Sequence, residues 1–224
     1  MTTTPRMPPE VTGVFRPLQD QLVLMRTKWT LFRQVFGTDA ERIELLNRFA
    51  PGFFGMVQEI MYDDLVQSLF RLTDPAATCA HPNLCLNRLA KVLKDTGTTV
   101  AASVQARSQA IGGLLAPFAD WRNHRTAHND LETAQACHLE LSSLKGPSRV
   151  LIEDVLVRAG QLMNEAAAYY GEGPMEYEGT IPPPGDGDAL VRRLEDLARR
   201  SDAEMHPVVR ASIEAQRRAR RRQA

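Results

Sequence analysis

An all-α fold is expected from three observations. Apolar residues recur at three- and four-residue spacing through most of the 224 residues, strand signals are scarce, and aromatic residues make up only 6% of the chain. Hydrophobic residues are 43% of the total, enough for one sizeable core but not two, so one main domain with extensions is expected. The pattern reads as an up-and-down bundle of about five helices followed by a C-terminal helical extension.

Residues 1–13, rich in Thr and Pro, read as a flexible N-terminus. Val14 to Phe36 is the first amphipathic segment, with Gly37 as its stop and Thr38 and Asp39 as candidate caps for a helix over Ala40 to Phe49. Pro51 opens a core helix in which Phe53, Val57, Ile60, Met61, Leu65, Leu69 and Leu72 share a face, and Asp74-Pro75 ends it. Ala76 to Pro82 reads as a loop, Asn83 as the cap of a short helix through Leu93, and Thr98-Thr99 as the start of a long helix running toward His128. After a polar break at Gly146-Pro147, Ser148 to Tyr170 forms the last helix of the bundle, with Val150, Leu151, Val155, Leu156, Leu162 and Met163 facing inward. The bundle therefore spans 14–171. A Gly- and Pro-rich linker, 172–187, follows it, and residues 188–224 form a helical extension ending in an arginine run from Arg217 to Arg222.

Whole-molecule charge excludes one class of argument. The formal net charge is zero, so affinity for nucleic acid or membrane has to be local. Cys79, Cys85 and Cys137 provide neither an even disulfide set nor a C-x-x-C pair, which suits a reducing compartment. Met1 to Pro9 lacks an apolar leader core, and no stretch approaches the roughly 18 apolar residues of a membrane span, so a cytoplasmic protein is expected.

The stretch that carries chemistry is Trp121 to Asp130, which places Arg122, His124, Arg125 and His128 on one helical path. Ile111, Leu114, Leu115 and Phe118 form an apolar stripe. Continued in phase, it takes in Arg122 and Arg125, with Trp121 and His128 at its edge; a kink at Pro117 would shift that phase. Buried cations are costly unless paired, so the cluster points to a bound anion, an acidic partner or a subunit interface. Its residue types suit phosphodiester cleavage without a metal. A histidine titrating near neutrality moves a proton, an arginine fork holds the non-bridging oxygens, and the RNA 2′-hydroxyl is the nucleophile. Arg122 and His128 lie about 9 Å and roughly 120° apart on an ideal helix, and a two-fold dimer would bring them together.

Arg122-Asn123 followed four residues later by His128 resembles the motif of the HEPN superfamily of small all-helical domains. The wider string of Trp121, Arg122, Asn123, Arg125, Ala127, His128 and Asp130 is similar to its abortive-infection branch. Ser68 to Asp74 and Asn83 to Leu86 are also similar to such proteins, and the resemblance covers roughly Val14 to Tyr170. It implies a helical bundle, a homodimer with the motif at its interface, and metal-independent endoribonuclease activity in a toxin or phage-defence protein. Arg122 and His128 carry over as catalytic, with Asn123 orienting them. Arg125 and Asp130 support, one gripping phosphate and the other holding the His128 tautomer. RNA and a cognate antitoxin or sensor are the implied partners. The alternative within the family is a non-catalytic dimer that binds RNA, nucleotide or protein.

Plainer readings stand beside this one. Arg122 and His128 would also suit a structural ion pair with Asp63, Asp64 or Asp74. His124 and His128 have a zinc-chelating spacing but no evident third ligand, so neither metal nor other cofactor is expected. Arg71 and Asp74 read as a pair bracing a helix end, and the arginine tail as a solvated terminus without aromatics to stack a base.

Overall fold

The computed structural model describes residues 5–37, 39–123, 146–179 and 185–204. They form an all-α fold with one minimal hairpin: α1 Pro9–Phe36, α2 Ala40–Phe49, α3 Pro51–Leu72, β1 Ala77–Thr78, β2 His81–Pro82, α4 Leu86–Asp95, α5 Ala101–Leu115, a 3₁₀ turn Ala116–Phe118, α6 Ala119–Arg122, α7 Arg149–Tyr169 and α8 Gly187–Glu204. Two compact units divide the chain. The first comprises Met1–Thr30 and Glu59–Ile181, the second Leu31–Gln58 and Pro182–Ala224, and α1 and α3 each contribute to both.

In the first unit, α4 packs on α5 and α5 on α7. Phe15, Leu22 and Met25 of α1, Leu65 and Leu69 of α3, Leu89 and Leu93 of α4, and Val155, Leu156 and Leu162 of α7 are buried in its core. Each such side chain contributes on the order of 1.5–3 kcal/mol through removal from water. Glu153 of α7 ties down α1, accepting from Arg26 Nη1 at 2.7 Å and from Trp29 Nε1 at 2.5 Å. In the second unit α2 packs on α8, and Arg48 grips Asp202 through two hydrogen bonds of 3.0 and 2.7 Å.

Short-range signals explain most helix ends. Asp39 caps α2 by accepting from Arg42 N, and Ser148 caps α7 by accepting from Leu151 N. Gly97, at φ 71°, closes α4. Its N–H bonds to Lys94 O while Thr98 N bonds to Leu93 O, the two-bond left-handed closure that frees a helix from orphan carbonyls. Gly171 closes α7 in the same way.

Six expectations need correction. Phe53 and Ile60 of α3 are exposed, and Phe54 is the buried aromatic of its first turn, so the apolar face predicted for α3 is buried only from Leu65 onward. α1 starts at Pro9 rather than Val14, because a proline at the first helical position gives up an N–H that would be unpaired anyway. Ala76 to Pro82 contains a hairpin, pairing Ala77 with Pro82 and Thr78 with His81, although its turn residues Cys79 and Ala80 are non-glycines at φ 47° and 67°. Cys85, not Asn83, caps α4; Asn83 instead donates to Pro75 O and Thr78 Oγ1, which places it in the hairpin. Thr98 does not cap α5 but donates to Leu93 O of the preceding helix, and α5 starts at Ala101. Val150 is 80% exposed, and Ile152 takes the inward position in the first turns of α7.

Candidate functional site

The path into the cluster is set by the 3₁₀ turn over Ala116–Phe118. Val104, Ser108, Ile111 and Leu115 keep the inward phase of α5. A 3₁₀ residue turns about 120° instead of 100°, so three of them advance the phase by roughly 60°. The unbroken projection placed Arg122 in the stripe and Trp121 at its edge. The advance brings Trp121 inward to 4% exposure and leaves the Arg122 side chain 38% exposed. Burying a tryptophan and keeping a guanidinium half in water is the cheaper arrangement.

Trp121 is seated by Tyr62 of α3, edge-on at 5.7 Å between ring centroids. The Tyr62 hydroxyl donates to Pro147 O at 2.5 Å, and Gly146 lies close against both rings. Trp121 and Gly146 therefore meet at this point. Residues 124–145, with His124, Arg125, His128 and Asp130, lie outside the described residues.

Asn123, Phe70 and Asp74 lie around the Arg122 guanidinium. Asn123 Oδ1 accepts from Nε at 3.1 Å and from Nη2 at 3.0 Å, spanning one edge of the fork. The Phe70 ring of α3 lies 5.2 Å from Cζ, within cation–π range. Asp74, just past the end of α3, holds its Oδ1 4.0 Å from Nη1. That distance is electrostatic contact rather than a hydrogen bond.

Asp74 is positioned from below. Asn87 of α4 donates through Nδ2 to the carbonyls of Thr73 at 3.1 Å and Asp74 at 2.9 Å, satisfying acceptors that the end of α3 leaves open. The Asn87 carbonyl accepts from Ser108 Oγ at 2.9 Å and Gln105 Nε2 at 3.3 Å, both on α5. Burial raises the Asp74 pKa from its ordinary value, with the nearby Arg122 and Arg71 guanidinium groups opposing the rise. Burial also raises the pKa of the Cys85 thiol at the start of α4.

A family model, HEPN_AbiU2, described as AbiU2, matches residues 10–169, from the first turn of α1 to the last residue of α7. The chain belongs to that family of HEPN-type abortive-infection domains. No curated protein and no solved structure matches it.

The HEPN membership gives the Arg122 environment its interest, because the flanking groups come from elements distant in the chain. Of the residues singled out from sequence, Arg122 and Asn123 are in contact. Asp74, weighed as an ion-pair partner, faces Arg122 at 4.0 Å, whereas Asp64 pairs with Lys28 at 2.7 Å. Phe70 and Asn87 were not foreseen. Phe70 lies in the Ser68–Asp74 string that the sequence had already set apart, and Asn87 was signalled only as a polar residue between Leu86 and Leu89 on a short apolar helix. Among the described residues, no group of three or more His, Cys, Asp or Glu could hold a metal ion. No helix among them is long and apolar enough to cross a membrane.

Proposed function

We propose that this HEPN protein is a metal-independent endoribonuclease that acts as a homodimer with its Arg122–His128 motif at the interface, in toxin or phage-defence reactions. The observation that carries the reading is the Arg122 guanidinium. It is held on one edge by Asn123 and from its face by Phe70, while the side chain remains 38% exposed. An arginine orientated in this way suits the two non-bridging oxygens of a phosphodiester.

In the proposed reaction His128 takes the proton of the RNA 2′-hydroxyl. The 2′-oxygen attacks phosphorus and forms a bond as the bond to the 5′-oxygen breaks, and the imidazolium returns a proton to that leaving oxygen. The products are a 2′,3′-cyclic phosphate and a 5′-hydroxyl. Arg122 stabilises the added negative charge, an effect worth on the order of 3 kcal/mol for a well-placed donor. Asn123 orientates it, with Arg125 gripping phosphate and Asp130 holding the His128 tautomer.

The experiment is cleavage of a labelled structured RNA in EDTA by the wild type, Arg122→Ala and His128→Ala, with product 3′ ends analysed. Cleavage by wild type alone, leaving 2′,3′-cyclic phosphate, is expected. A folded dimer that binds RNA without cutting any of several substrates would instead mark a binding protein.

A further inference from the structure

We propose that Asp74 sets the anion affinity of the Arg122 site, as a fixed counter-charge with which an incoming RNA phosphate must compete for the guanidinium. The inference rests on the reading of Arg122 as a phosphate-binding group.

Asp74 is not a carboxylate on a loose surface chain. Its own carbonyl and that of Thr73 are tied to Asn87, and Asn87 is in turn held by Ser108, which is 1% exposed, and by Gln105. This relay through α4 and α5 fixes where α3 ends and so where the carboxylate stands. Asn123 spans the Nε–Nη2 edge of Arg122, while Asp74 faces Nη1 from 4.0 Å. At that separation a carboxylate lowers the local positive potential without a hydrogen bond, and the attraction is moderate because each side chain keeps more than a third of its surface in water. A phosphate drawn to Arg122 meets the same carboxylate as a like charge.

The arrangement also makes the site pH-dependent. Among the described residues, the charged and titratable groups around Asp74 are Arg71 from its own helix end, Arg122 from α6 and the Cys85 thiol from the start of α4, with Arg88 beyond it; α5 presents uncharged Ser108 and Gln105, through Asn87. Neutralising Asp74 leaves Arg122 with more of its charge to offer, so acidification strengthens anion binding at this point.

The test uses the full-length protein and a labelled 2′-O-methyl oligoribonucleotide, which has the phosphates of RNA but no nucleophile. Its equilibrium affinity is measured for wild type, Asp74→Asn, Arg122→Ala and the double variant between about pH 4 and 8. Asp74→Asn is expected to bind about fivefold more tightly near neutrality and to lose part of the wild type's strengthening in acid. That gain is expected to vanish in the Arg122→Ala background. Unchanged or weaker binding by Asp74→Asn would overturn the inference, as would an equal gain without Arg122, which would make Asp74 a general repulsive charge. Wild-type affinity in Arg122→Ala alone would remove the phosphate reading of Arg122 itself, and this inference with it.

Discussion

The Trp121 ring stands edge-on to Tyr62, with the two planes at 88°, and Gly146 fills the space beside them. A Cβ at position 146 would lie 2.6 Å from Tyr62 Oη and 3.0 Å from Trp121 Cε2. Gly146→Ala is therefore expected to destabilise the protein by about 1–3 kcal/mol through overpacking, read as a lower urea midpoint. A midpoint equal to wild type would show that the rings yield without cost.

Asn87 joins α3, α4 and α5 through four side-chain hydrogen bonds. Replacing it with alanine leaves the Thr73 and Asp74 carbonyls without this donor and the Ser108 hydroxyl without this acceptor. A loss of about 2 kcal/mol is expected in urea unfolding. Asn87→Asp keeps the acceptor for Ser108 but removes the two donors, so it should lose a comparable amount; a neutral effect would assign the stability to the apolar contacts of α4 alone.

Arg122→Lys separates charge from geometry. Lysine retains the positive charge but cannot span the Asn123 carboxamide with two donors in one plane. Under the proposed reaction, cleavage should fall about 10- to 100-fold with the melting temperature little changed. Full activity in the lysine variant would mean that charge alone suffices.

Asp74 gives a stability signature of defined sign. Its pKa is raised in the folded state by burial, so between the ordinary carboxylate pKa and the raised value the folded protein binds more protons than the unfolded chain. Asp74 therefore makes unfolding free energy fall as pH rises through that window, and contributes no slope on either side. Asp74→Asn should remove this component. Identical pH profiles for wild type and variant, measured by urea unfolding at closely spaced pH, would contradict the assignment.

Much of the helical layout is legible in the sequence. The bounds of α2 and α3 follow from Asp39, Pro51 and Asp74-Pro75, and that of α7 from Ser148, because capping and proline effects act within a few residues. The hairpin was not legible, since Cys79 and Ala80 occupy left-handed backbone positions usually marked by glycine or asparagine. The exchange of roles between Asn83 and Cys85 was hidden for a related reason: the better capping residue was already engaged by the hairpin.

By itself the sequence determined the all-α class, the positions of most helix ends and the stretch where Arg122 and Asn123 stand together. These depend on periodicity and on bonds between near neighbours. Only the tertiary structure decided that Trp121 turns inward and Arg122 to the half-exposed edge, and that Phe70 and Asp74 flank the guanidinium while Asn87 fixes the end of α3. The physical reason is that a roughly 60° advance at one 3₁₀ turn changes which side chain is buried, and the partners it then meets come from helices distant in the chain.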